Sequence, residues 1–221
     1  VLTGEMLAGG VSWRVAFLVW PALALVGAGL LAGGGYPPAA GSQQAGEDAV
    51  TDGLGRYAFL RSPVFWALMV AMFVGGGSEF AMTGWGANYV ERELEATARG
   101  GGWSIAFYGL FMALGRLAVG GLVTRVSATR LMLVSAIGGA TVTGVLCGVH
   151  NLLAAWAMLA LGGLFIACFW PTLIAVAAER IEQHSSALFA LLAASGIAGS
   201  TVFSWAIGAL GDLAGLRVGM G

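Results

Sequence analysis

The sequence has no lysine, only two cysteines and little charge of either sign. Each shortage excludes something. Charged residues make up 10% of the 221 positions and hydrophobic ones 58%, whereas soluble domains carry roughly a quarter charged residues. Folded soluble chains expose much apolar surface anyway, so one of this composition would face water almost without charge. A bilayer removes that conflict. The net charge of −1 and the scattered basic residues exclude electrostatic capture of nucleic acid or of a strongly acidic partner. All ten basic residues are arginine, which reads as the coding bias of a GC-rich genome, because lysine is tolerated near membrane helix ends. Cys147 and Cys168 lie in apolar runs at neither metal-ligand nor redox spacing, and read as small packing residues. His150 and His184 fall in turns with no second ligand at metal spacing, so neither a metal nor a cofactor is expected.

Long uncharged runs are what the sequence has instead. Roughly 20 apolar helical residues cross a bilayer, and six windows qualify: Val11–Gly35, Pro63–Tyr89, Trp103–Thr124, Leu131–Val149, Leu152–Ala178 and Ser186–Leu210. They are apolar all round, unlike the outer helices of a soluble bundle. They also lack the alternating segments of about ten residues that a membrane β-barrel needs. The expected fold is all-α, an integral membrane bundle of about six transmembrane helices.

The connections are of two kinds. Arg125–Arg130, His150-Asn151 and Glu179–Ser185 are short turns that make neighbouring helices antiparallel. Tyr36–Ser62 is longer and carries Pro37-Pro38, Gly41-Ser42-Gln43-Gln44 and three acids, which is linker composition. Residues 1–35 therefore read as one helix, 36–62 as a linker and 63–221 as a five-helix bundle. Arg56, Arg61, Arg125, Arg130 and Arg180 fall on one side, Arg14, Arg92, Arg99 and Arg217 on the other, which places the linker in the cytoplasm. With Val1-Leu2-Thr3 at one end and Gly221 just after an Asp-containing turn at the other, the chain reads as a piece of a longer one.

Small residues repeat every fourth position at Gly196, Ser200, Ser204 and Gly208, and in pairs at Gly144/Gly148 and Gly29/Gly33. Such stripes let helix backbones approach closely.

Apart from Arg14 near the start of the first, two charges interrupt the apolar windows. Glu79 lies about 24 Å along its helix from Pro63, inside a hydrocarbon core of about 30 Å. An ionisable group at that depth marks a functional site unless it reaches the interface. Gly75-Gly76-Gly77 precede it and weaken the helix. Glu79, Thr83 and Gly86 share one helix face, while Trp85, Asn88 and Tyr89 fall on another. Polar groups beside an aromatic plate suit a hydroxylated solute such as a sugar. An interfacial aromatic belt is the alternative for Trp85 and Tyr89. Arg116, counted from the inner end of an antiparallel helix, falls about 10 Å deep. A direct pair with Glu79 is therefore not expected, and Arg116 is assigned to the inner surface or a pair at the inner end of the bundle. Phe169-Trp170-Pro171-Thr172 predicts a kink, either static or a hinge. Ser195-Gly196 within a helix permits an intramembrane serine hydrolase, but both histidines precede the serine and lie in loops. The stripe of small residues explains that pair more simply.

Together these residues resemble the major facilitator superfamily, and within it the fucose-permease-like branch of sugar and proton symporters. Ser12-Trp13-Arg14 resembles the start of the sixth helix of such a transporter, and Tyr36–Ser62 its central cytoplasmic loop. Phe73-Val74-Gly75, Ser78-Glu79 and Gly84-Trp85 resemble its seventh helix; Phe169-Trp170-Pro171-Thr172 resembles its tenth. The run from Gly120-Gly121-Leu122 to Arg130 resembles the loop after the eighth helix, departing at Thr124 where the family usually has Asp. The resemblance implies a twelve-helix fold, of which five helices before and one after this stretch would be partners from the same polypeptide. It further implies alternating access in a prokaryotic cell membrane, with a small solute and protons as coupling ion. On that basis Glu79, Thr83, Trp85, Asn88 and Tyr89 are expected to line the solute path, and Arg116, Arg125, Arg130 and Pro171 to serve gating. A non-transporting scaffold or receptor is the competing reading, with the stripes as assembly surfaces. Catalysis is not expected.

Overall fold

The computed structural model describes residues 9–10, 12–33, 55–122, 125–181 and 186–221. The chain divides into two compact units, Val1–Arg56 and Tyr57–Gly221. The first contains helix α1, Trp13–Gly33, with Pro21 inside it. Its 21 residues span about 32 Å, enough to cross a bilayer. A methyl group added at Gly29 or Gly33 would meet no atom within 4 Å, so that repeat carries no packing among the described residues. Most of the predicted linker lies outside the described residues.

The second unit is a helical bundle entered through a 3-10 turn, Gly55–Arg61. Phe59 of that turn is buried edge-on against Phe65, with ring centroids 4.9 Å apart. The helices that follow are α2 (Pro63–Glu93), α3 (Ala98–Leu122), α4 (Ala128–Gly148), α5 (Leu152–Ile166), α6 (Phe169–Arg180), α7 (Ser186–Ala214) and α8 (Leu216–Met220). Local chemistry sets several boundaries. Pro63 occupies the first helical position of α2, where a missing N–H costs nothing. Asn151 caps α5 by accepting the Ala154 N–H at 2.8 Å.

Five stretches of this unit are long and apolar enough to span a membrane: α2, α3, α4, α5 with α6, and α7. Their outward faces carry Leu117, Leu153, Trp205 and Leu213, each more than 70% exposed. Apolar side chains turned outward along whole helices match hydrocarbon, not water.

Two interfaces hold the bundle, α2 against α7 and α3 against α5. At the first, Gly76 lies on the Gly196 backbone and Gly199 on the Phe73 carbonyl, with no room for a methyl group at either. Ser200 donates to the Gly76 carbonyl at 2.9 Å and Ser195 to the Met69 carbonyl at 2.8 Å. The stripe Gly196, Ser200, Ser204, Gly208 is thus the seam that receives α2. Gly144 and Gly148 behave differently: nothing lies within 4 Å of a methyl placed there. The Gly144 face of α4 borders a cavity of about 370 Å³ between α2, α4 and α5, so that repeat is not a packing seam as its spacing suggested.

The buried side chains form two clusters. One, toward the α2–α3 turn, contains Met82, Tyr89, Tyr108, Leu146 and Leu159. The other, toward Pro63, contains Phe59, Phe65, Leu68, Met72, Leu173 and Leu188. Phe169 packs against both. Between them on α2 lies the waist of Gly75-Gly76-Gly77 followed by Glu79.

Candidate functional site

At this waist three helices converge on one carboxylate. Glu79 projects from α2, and Arg116 of α3 brings Nη2 to 3.8 Å from Glu79 Oε1. The indole of Trp170 on α6 lies beside the same carboxylate, and an indole N–H can only donate. The Trp170 ring also covers Gly196, where an added methyl would come within 2.7 Å of it. Arg116 Nη2 further contacts Met112 Sδ at 3.9 Å.

The Glu79–Arg116 pair corrects the depth argument made from the sequence, for two reasons. First, α2 has 31 residues and α3 has 25, so depths counted from their inner ends are misaligned by about 9 Å. Counted from the shared turn, Glu79 lies about 21 Å and Arg116 about 27 Å along their helices. Second, helical side chains lean toward their own N-terminus. In antiparallel helices the two therefore lean toward each other, and the long arginine closes the remaining gap.

Exposure bears on what the pair can do. The Arg116 side chain is 48% exposed and that of Glu79 22%. A guanidinium this open at mid-membrane depth must face water, protein or a polar ligand, because hydrocarbon cannot solvate it. The group thus offers unsatisfied Arg116 donors, a carboxylate able to accept further bonds, and the broad Trp170 face.

The other expected site residues are dispersed. Thr83 lies one turn beyond Glu79 and donates to its backbone carbonyl at 2.9 Å. Trp85 donates to Ser204 Oγ at 3.3 Å and rests on Gly208, so it faces α7. Tyr89 is buried, its hydroxyl donating to the Leu146 carbonyl at 2.7 Å. Asn88 is exposed on α2, about 13 Å along the axis from Glu79 and half a revolution around it. Arg125 on the α3–α4 turn and Arg130 in the first turn of α4 are both exposed; Thr124 lies outside the described residues. Pro171 is the third residue of α6, and the helix breaks before it, at Ala167-Cys168. There the missing N–H falls in a first turn that leaves such donors unpaired anyway. Cys168 Sγ donates to Ser135 Oγ at 3.0 Å, anchoring the break to α4.

Trp170 is the side chain of this group that sequence reasoning passes over, because the proline dominates the Phe-Trp-Pro-Thr run. An indole beside a helix break, at a depth similar to an isolated carboxylate, is the signal that could have found it.

Comparison with known proteins is consistent with this architecture. The family model described as Major Facilitator Superfamily matches residues 86–221, which takes in Arg116 and Trp170 and begins just after Glu79. No curated protein and no solved structure matches the chain. With more than half of its length so matched and five membrane-length apolar helices in antiparallel succession, the chain belongs to the major facilitator superfamily of membrane transporters.

Proposed function

We propose that this chain carries one side of the solute path of a secondary transporter that moves a small polar solute, such as a sugar, by alternating access with protons as the coupling ion. The single observation behind the proposal is the convergence of Glu79, Arg116 and Trp170 at the waist between two apolar clusters. A charged pair is expensive inside a bilayer, and it persists there where a solute or ion uses it. Arg116 supplies donors for solute oxygens, Trp170 a flat surface for the ring of a sugar, and Glu79 a carboxylate that can take and release a proton. Thr83 extends the polar track by one turn of α2, Asn88 lies on the opposite face of that helix, and Trp85 and Tyr89 hold α2 against α7 and α4. The path faces a second helical bundle of the kind the family fold implies, in the inner membrane of a prokaryote.

The scaffold reading loses its support, because the stripe of small residues on α7 is taken up inside the chain by α2. The hydrolase reading loses its nucleophile, since the Ser195 hydroxyl is committed to the Met69 carbonyl.

Uptake of radiolabelled L-fucose and D-galactose into proteoliposomes holding the full-length protein, driven by an imposed proton gradient, tests the proposal. Glu79→Gln keeps the shape but cannot carry a proton and should abolish accumulation. Arg116→Gln should weaken half-saturation by about tenfold, the loss of one charge-assisted hydrogen bond. Wild-type accumulation and affinity in both variants would defeat the assignment.

A further inference from the structure

The break between α5 and α6 is buried inside the bundle. Ala167 and Cys168 are each 1% exposed, and with the two residues that follow they reach four different helices. Ala167 meets Gly115 of α3: a methyl group added to that glycine would come within 2.7 Å of the Ala167 Cβ and 2.9 Å of the Leu164 carbonyl. Cys168 is bonded to Ser135 of α4 at 3.0 Å. Phe169 lies on Gly75 of α2, 3.4 Å from the place of a methyl group, and Trp170 lies on Gly196 of α7. Two of these contacts fall next to the charged pair. Gly115 immediately precedes Arg116, and Gly75 is one turn before Glu79 on the same face of α2. The Glu79 side chain leans back over that turn. Ala167 and Phe169, two residues apart, therefore stand as a wedge between the helix that carries Arg116 and the helix that carries Glu79.

We propose that Gly115 and Ala167 are positioning residues whose contact fixes the separation of Glu79 and Arg116. Glycine on α3 and alanine on the break leave no room for a further carbon, and in a close-packed interior a thicker wedge spreads α3 from α2. The pair stands at 3.8 Å with the Arg116 side chain 48% exposed, near the limit of about 4 Å for an ion pair, and beyond it solvent screens what attraction remains. The thickness of the wedge thus decides how firmly the carboxylate holds Arg116 when a solute oxygen competes for it, a role that rests on the solute-path reading above.

Thermal unfolding of the full-length protein in detergent, without solute and at low salt, reads the pair through a double-mutant cycle. Glu79→Gln and Arg116→Gln, singly and together, give a coupling of about 2 °C in Tm in the otherwise native chain. Gly115→Ala removes that coupling, and Ala167→Gly added to it reopens the space and restores the coupling. Gly219→Ala, at a glycine equally crowded by the Ile207 carbonyl on α7, lowers Tm and leaves the coupling intact. The proposal is overturned by the absence of coupling in the native chain, by coupling that persists in Gly115→Ala or fails to return with Ala167→Gly, or by its loss in Gly219→Ala. Should Gly115→Ala not purify folded, Ala167→Gly alone carries the test: the thinner wedge increases the coupling, and an unchanged value overturns the proposal. In uptake, Gly115→Ala lowers half-saturation about threefold, because Arg116 no longer has to be drawn off the carboxylate, and has no effect in an Arg116→Gln background. Wild-type half-saturation with the coupling lost would defeat the solute path and leave the positioning contact. Impaired uptake by the Glu79 and Arg116 variants, with coupling retained in Gly115→Ala, would defeat the positioning contact and leave the path.

Discussion

Glycine in this bundle has two opposite meanings, and the atoms around each decide which applies. At Gly199 of α7 the Phe73 carbonyl of α2 occupies the place of a side chain, whereas at Gly144 of α4 there is open space. Alanine is favoured over glycine by about 1 kcal/mol in a helix interior, so Gly144→Ala should raise the apparent Tm slightly. Gly199→Ala gains the same propensity but must push α2 away from α7, at about 1–3 kcal/mol for overpacking. Its Tm should fall. A thermal-shift comparison of the two purified variants reads the difference, and equal shifts would mean that α2 and α7 do not approach at Gly199. Gly144 belongs to a repeat of small residues and Gly199 lies outside the repeat on α7, so the repeats alone point to the wrong one of the two as the close contact. Spacing reports which positions share a face; only the fold reports whether another helix lies against it.

Elements bring in the second kind of information that the sequence holds only in part. The helix windows were legible because an apolar run bounded by charges can satisfy its backbone in lipid in one way, as a helix. The break in the fifth span was legible as an event but misplaced, falling at Ala167-Cys168 instead of at Pro171. The proline ring excludes the carbonyl four residues back, so the disruption lies upstream of the residue that causes it. The Glu79–Arg116 contact was not legible because the relative depth of two helices depends on their unequal lengths and on side-chain lean. Neither is written in the charge-free runs that delimit a window. Helix α8 illustrates the same gap. Arg217, read from the sequence as one more outer-side charge, binds Glu93 Oε2 at 3.1 Å and the carbonyls of Cys147 and Val149 at 3.0 and 3.1 Å. Glu93 also accepts the Leu216 N–H at 2.9 Å. One guanidinium thus fastens α8 to both α2 and α4. Both partners are about a quarter exposed, so solvent screens part of the attraction. Arg217→Ala should still cost about 1–3 kcal/mol, because Glu93 and two carbonyls lose their donors. Hydrogen exchange should quicken at residues 216–220 before it changes in α7. Uniform protection in the variant would show that packing alone holds α8.

At the scale of the whole molecule, the solvent decides what counts as a conservative change. Ile137 of α4 is 66% exposed and lies about 14 Å along its helix from Ala128, near the middle of a hydrocarbon layer about 30 Å thick. In a water-soluble bundle an exposed isoleucine could become arginine within about ±0.5 kcal/mol and with a gain in solubility. In a bilayer the same change places a charge at mid-depth, at about 2.5–3.5 kcal/mol on the insertion scale. Ile137→Arg should therefore lower the membrane-inserted yield sharply. Arg130→Lys, in the exposed first turn of α4, should leave it unchanged. Fractionation of expressing cells compares the two directly. The contrast with Arg116 gives the measurement its meaning: both positions would carry an exposed guanidinium inside the span, but Arg116 has the Glu79 carboxylate at 3.8 Å, and Ile137 has the exposed apolar neighbours Leu133 and Val134. If Ile137→Arg inserted as well as wild type, that face of α4 would have to be watered. The distinction between a polar waist and an apolar outer wall, from which the transport mechanism is argued, would then be lost.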